Sequence, residues 1–96
     1  MRYFHRTSLP VADVLAEADR YFGQRMQAAG AEGRTRTYQS AIGEVRVVVK
    51  VEGGHYTHIA LTTDDLGESE VDKFAKRFLG VVHRKVHEAH EVRGAY

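Results

Sequence analysis

Residues 44–63, EVRVVVKVEGGHYTHIALTT, decide the fold. In the first half Val45, Val47 and Val49 occupy alternate positions, with Arg46, Val48 and Lys50 between them. In the second half Thr57, Ile59 and Leu61 alternate with His58, Ala60 and Thr62. A period of two belongs to strands that send every second side chain into a core. A three-residue loop, Gly53-Gly54-His55, sets Thr57, Ile59 and Leu61 on the face of Val49, Val47 and Val45. A two-residue loop would bring Tyr56 and His58 there instead. One slip reverses every side chain, so the apolar set selects the first register.

Working outward, residues 34–42 (RTRTYQSAI) read as a preceding strand joined through Gly43-Glu44. Glycine first in a two-residue loop suits a type II′ turn and sets Ile42 opposite Val45, Ser40 opposite Val47 and Tyr38 opposite Val49. Residues 2–8 (RYFHRTS) form a short strand. Leu9-Pro10 opens a helix, since proline is tolerated in a first turn. Val11, Val14, Leu15, Ala18, Phe22 and Met26 then recur at helical spacing, opposite Asp13, Glu17, Arg20 and Gln24. That helix is expected to reach Ala29-Gly30, with 31–33 a loop. A second helix over 67–90 carries the stripe Val71, Phe74, Ala75, Phe78, Leu79, Val82 and Val86. Acidic residues crowd its start, where the helix dipole favours them, and either Asp65 or Ser69 can cap it. The reading is one α+β domain over residues 1–96, β-α-β-β-β-α, an antiparallel sheet with two helices packed on one face. The other face would show Thr35, Thr37, Gln39, Arg46, Val48, Lys50, Tyr56, His58, Ala60 and Thr62.

Ninety-six residues bury only about 60–65% of their unfolded surface, which limits any internal pocket and favours a homo-oligomer. Fourteen Lys and Arg against thirteen Asp and Glu leave a net charge of +1. No broad attraction to nucleic acid or anionic lipid follows, so a nucleic-acid partner is not expected on that ground, although a local basic patch stays open. With no cysteine, disulfides, thiolate zinc sites, iron–sulfur clusters and a Cys nucleophile are excluded. The opening MRYFHRTSLP lacks a signal-peptide core and no run suits a membrane span, so the expectation is a cytoplasmic chain with no membrane partner.

His83 and His87, spaced i and i+4, are the candidate metal ligands, for zinc or another divalent ion. His90 lies roughly 10 Å along the axis from His83, so a third ligand would come from His5, His55, His58 or a second subunit. The alternatives are a half-exposed histidine stripe or pH-dependent association. Asp64-Asp65 with Glu68 and Glu70 reads as capping rather than a cation site, and Gly53-Gly54 as a turn rather than a nucleotide loop. Phe4, Phe22, Phe74, Phe78 and Met26 read as core. No residue is assigned a catalytic role.

Leu9-Pro10-Val11-Ala12-Asp13-Val14, opening the first helix, and His55-Tyr56-Thr57-His58-Ile59-Ala60-Leu61-Thr62-Thr63, before the last, resemble a shortened helix-grip or TBP-like domain of the Bet v 1/START type. The layout is also similar to small polyhydroxyalkanoate-system proteins of bacteria. The resemblance implies a small hydrophobic ligand held between sheet and long helix, but this chain has fewer strands. The functional expectation is a small non-enzymatic binding or assembly domain, acting as a homodimer or accessory subunit. The alternative is a hydrophobic-ligand or metal-binding protein using a cavity among Val47, Ile59, Phe78 and Val82, or His83 and His87.

Overall fold

The computed structural model describes the backbone of residues 1–94 and the side chains of residues 1–86. The elements are β1 (Arg2–Thr7), α1 (Val11–Phe22), β2 (Gln27–Glu32), β3 (Thr35–Ser40), β4 (Gly43–Glu52), β5 (Tyr56–Thr63) and α2 (Glu70–Gly94). All strand pairs are antiparallel, in the order β1-β5-β4-β3-β2, so the first and last strands are neighbours. The α+β class and the layering read from the sequence are present, with one strand added after the first helix.

Alternation sets the core. Val45, Val47 and Val49 on β4 and Ile59 and Leu61 on β5 point under the helices, with Val49 paired to Ile59 and Val47 to Leu61. The β4–β5 loop is Gly53-Gly54-His55, and both glycines have positive φ. From above, α1 contributes Val14, Ala18 and Phe22, and α2 contributes Val71, Phe74, Ala75, Phe78 and Val82. Phe22 stacks on Tyr38 of β3, their ring centres 4.8 Å apart, and meets Phe74 edge-on at 5.7 Å. Polar groups near this core are partnered. The Tyr38 hydroxyl donates to Asp19 Oδ1 at 2.7 Å, and the Tyr21 hydroxyl to the Phe74 carbonyl at 2.6 Å. Buried Asp72 accepts the Tyr3 hydroxyl at 2.8 Å and the Glu68 amide at 3.2 Å. Glu17 reaches Lys85 at 3.5 Å and so links α1 to α2.

Three local expectations change. Helix α1 stops at Phe22 rather than Ala29-Gly30, with Gly23 as its C-cap. Met26 stays buried although it has left the helix. Residues 27–32, QAAGAE, have low strand propensity, yet they pair with β3 as an edge strand. The backbone groups of β3 outweigh propensity here, and a bulge near Ala29 blunts the new edge. The hairpin turn is Ala41-Ile42, closed by Ser40 opposite Gly43, so Tyr38 faces Val45 instead of Val49. The shift is even in residues, which leaves each side chain on its expected face. Gly43, at φ 142°, serves a close approach as well as backbone freedom. A Cβ there would lie 2.7 Å from Asp64 Oδ1 and 3.1 Å from Val71 Cγ1. Ser69 is the cap of α2, its Oγ accepting the Asp72 amide at 3.3 Å.

Phe4 is the main correction to the expected core. It is 61% exposed, because Tyr3, His5 and Thr7 take the helix-facing side of β1. The two phenylalanines should therefore respond differently to truncation. Phe22→Ala should cost about 3–5 kcal/mol in urea unfolding, the range for an emptied aromatic core site. Phe4→Ala should stay within about 0.5 kcal/mol of wild type in the same assay.

Candidate binding face

The uncovered face of the sheet can be read in cross-strand rows. One row runs Arg2, Thr62, Arg46 and Thr37 across β1, β5, β4 and β3. The next runs Phe4, Ala60, Val48 and Thr35, and the third Arg6, His58 and Lys50. Beyond it Tyr56 lies opposite Glu52. An apolar row therefore lies between two cationic ones, each about 7 Å away at two residues along a strand. Arg2, Phe4, Arg46, Val48, Lys50, His58 and Ala60, together with the carboxylates of Glu44 and Asp64, line a shallow depression of about 440 Å³.

Several contacts shape this surface. The Phe4 and His58 rings lie 5.5 Å apart at 32°. Arg6 sits 5.4 Å over the Tyr56 ring and donates to Glu52 Oε1 at 2.8 Å. That hydrogen bond holds the Glu52 carboxyl below the usual carboxylate range, with His58 adding a smaller pull. The nearest His58 approach is Nδ1 to Glu52 Oε2, 3.4 Å. Arg2, Arg46 and Lys50 form no ion pair among the described residues. They are free to meet an outside anion. Tyr56, 49% exposed, ends the surface.

The other candidates fall elsewhere. Arg36 lies on the helix side of the sheet, 3.7 Å from Asp19, on the opposite face from Arg46 and Lys50. Asp64 and Asp65 accept backbone amides of Glu44 and Leu66, so they serve local turns. His83 is exposed on α2 and shares a small cleft with His5, Thr7, Ser8 and Tyr56. The side chains of His87 and His90 lie outside the described residues. Among the described residues no group of three or more His, Asp or Glu is arranged to hold a metal ion. Val47, Ile59, Phe78 and Val82 are each 0% exposed, so no water-sized void touches the proposed cavity lining.

Sequence reasoning missed Arg2, Phe4 and Arg6 as members of the open face. The signal was present: RYFHR places both arginines two residues from Phe4, so all three share one side of a strand. No protein-family model, curated protein or solved structure matches the chain. Among the described residues no helix is long and apolar enough to cross a membrane.

Burial lowers the His5 pKa, and the nearby His83 lowers it further. A histidine depressed in the fold favours the neutral state, so its contribution is complete above its unfolded pKa near 6.5. It is lost as pH falls through that value toward the lower folded one. In urea unfolding at pH 7.5 and 5.0, His5→Gln should lose less stability on acidification than wild type. An equal loss in both proteins would remove His5 as a source of acid sensitivity.

Proposed function

We propose that this chain is a small non-enzymatic binding domain, an accessory module that works through the open face of its sheet. The observation that carries the reading is Phe4, exposed on the edge strand β1 with Arg2 and Arg6 two residues to either side, and with Arg46 and Lys50 further across the same face. A large exposed apolar side chain is unremarkable alone, but an apolar row rimmed by charge is the form of a docking surface.

The sheet order, with β1 beside β5, and the long closing helix support the helix-grip resemblance at the level of fold. The ligand that this resemblance implies finds no room, since its lining is packed shut. Charge also speaks against a second copy on the open face. Two such faces stacked by a two-fold axis through the apolar row put cationic row against cationic row. The axis may run along the strands or across them, with the same result. Like charges brought together at an interface cost several kcal/mol as an order of magnitude. A partner with negative charge fits better.

Two measurements test this. Light scattering after gel filtration should give a monomer at micromolar concentration. Titration with inorganic polyphosphate should then shift amide resonances of Arg2, Phe4, Arg46, Val48 and Lys50, and Arg46→Glu with Lys50→Glu should remove the shifts. A dimer that buries these amides, or polyphosphate contacts confined to the helices, would overturn the reading.

A further inference from the structure

We infer that the open sheet face binds single-stranded nucleic acid, with bases on Phe4, His58 and Tyr56 and phosphates on Arg2, Arg46 and Lys50. The inference rests on the binding-face reading above and adds the chemistry of the partner. Three features select it. First, Arg2, Arg46 and Lys50 are exposed and form no ion pair among the described residues, so they can take phosphates without breaking an existing contact. Second, Phe4 stands between two cationic rows, Arg2 with Arg46 on one side and Arg6, His58 and Lys50 on the other. Adjacent rows lie about 7 Å apart, a separation that the chain from base to phosphate within one nucleotide can span. Third, two aromatic side chains are open to solvent, Phe4 at 61% and Tyr56 at 49%, with His58 packed 5.5 Å from Phe4 and Arg6 5.4 Å over one side of Tyr56. Flat rings of this kind accept any base, and stacking tolerates sequence.

A duplex does not meet these conditions, because its bases are hidden and Phe4 would remain uncovered. A poly-glutamate peptide satisfies the cations but has no flat groups to match the rings. The near-zero net charge of the chain is no obstacle. Glu44 and Asp64 line the same depression, but Glu44 accepts the Gln39 side-chain amide at 3.0 Å and Asp64 the Glu44 backbone amide at 2.9 Å. Arg2, Arg46 and Lys50, in contrast, have no ion-pair partner among the described residues. Local charge, not the total, sets attraction at this range, since screening limits it to about 8–10 Å in ordinary salt.

Fluorescence anisotropy on the full chain with labelled rU12 and dT12 provides the test, with inorganic polyphosphate of matched charge, a DNA duplex and a poly-glutamate peptide as competitors. Both single strands should bind, and both should be displaced more weakly by polyphosphate and duplex than by unlabelled single strand. The slope of log affinity against log salt should be about −2, as expected for roughly three neutralised phosphates on a single strand. Phe4→Ala should weaken oligonucleotide binding about tenfold and leave polyphosphate binding unchanged, because stacking alone is removed. Arg46→Glu with Lys50→Glu should abolish both, with unchanged thermal unfolding showing that the fold is intact. Equal affinity for polyphosphate and oligonucleotide, with Phe4→Ala silent, would overturn the nucleic-acid inference while leaving the binding face standing. Tighter binding of the peptide would also overturn it. Failure of every polyanion would overturn both readings.

Discussion

The packing of Phe22 between the sheet and α2 is the interaction on which the rest of the structure depends. Its ring stacks on Tyr38, meets Phe74 edge-on and lies 5.2 Å from Phe78, so β3, α1 and α2 meet at one side chain. Two helices alone would not hold this arrangement, because each has one apolar stripe to bury. The sheet supplies the third surface through Val45, Val47, Val49, Ile59 and Leu61. Both stripes are then used on the same side. Nothing in the described chain is left to cover the opposite face, and its exposure follows directly from where the helices must go.

That division separates two chemistries. The covered side is closed, with its hydroxyls and the buried Asp72 carboxylate all hydrogen-bonded. Such a side contributes stability, and no water-sized void touches Val47, Ile59, Phe78 or Val82. The open side keeps cations and rings that the core cannot use. A small domain has little surplus apolar surface. Leaving Phe4 and Tyr56 uncovered therefore forgoes stabilisation of about 1–3 kcal/mol for each fully buried large side chain. An unpartnered aromatic of that size is more readily understood as a contact waiting for its counterpart than as a packing failure.

Much of this was legible in the sequence, and the reasons are local. The alternation in β4 and β5 and the two-glycine loop determined register, since every competing pairing placed His58 or Tyr56 in the core. The helical stripes of α1 and α2 were clear for the same reason. What escaped notice was governed by distant partners. QAAGAE has no strand signal of its own and becomes β2 only because β3 offers an unpaired edge. Gly43 looked like a turn residue, but α2 lies against it and requires the missing Cβ. Phe4 was read as core by residue type, although its arginine neighbours at two-residue spacing marked the outer face. For the candidate site, the β3, β4 and β5 side of the open face was readable, and the β1 side was not.

Composition was the least informative guide to partners. A chain with almost equal numbers of acidic and basic residues can still group unpaired cations on one face. Here the helices carry both signs, with Arg20, Lys73, Lys76, Arg77, Arg84 and Lys85 beside Asp13, Glu17, Asp19, Glu70 and Asp72. Arg2, Arg46 and Lys50 share the open face without an ion-pair partner among the described residues. Unpaired cations grouped on one face can attract a negatively charged partner and orient it during encounter. Orientation of that kind speeds productive approach more than it tightens the final complex. Affinity would then rest on what the rings add after arrival. On the proposed reading, the two rows of cations and the apolar row between them would have separate tasks, the first to bring a partner to the sheet and the second to hold it there.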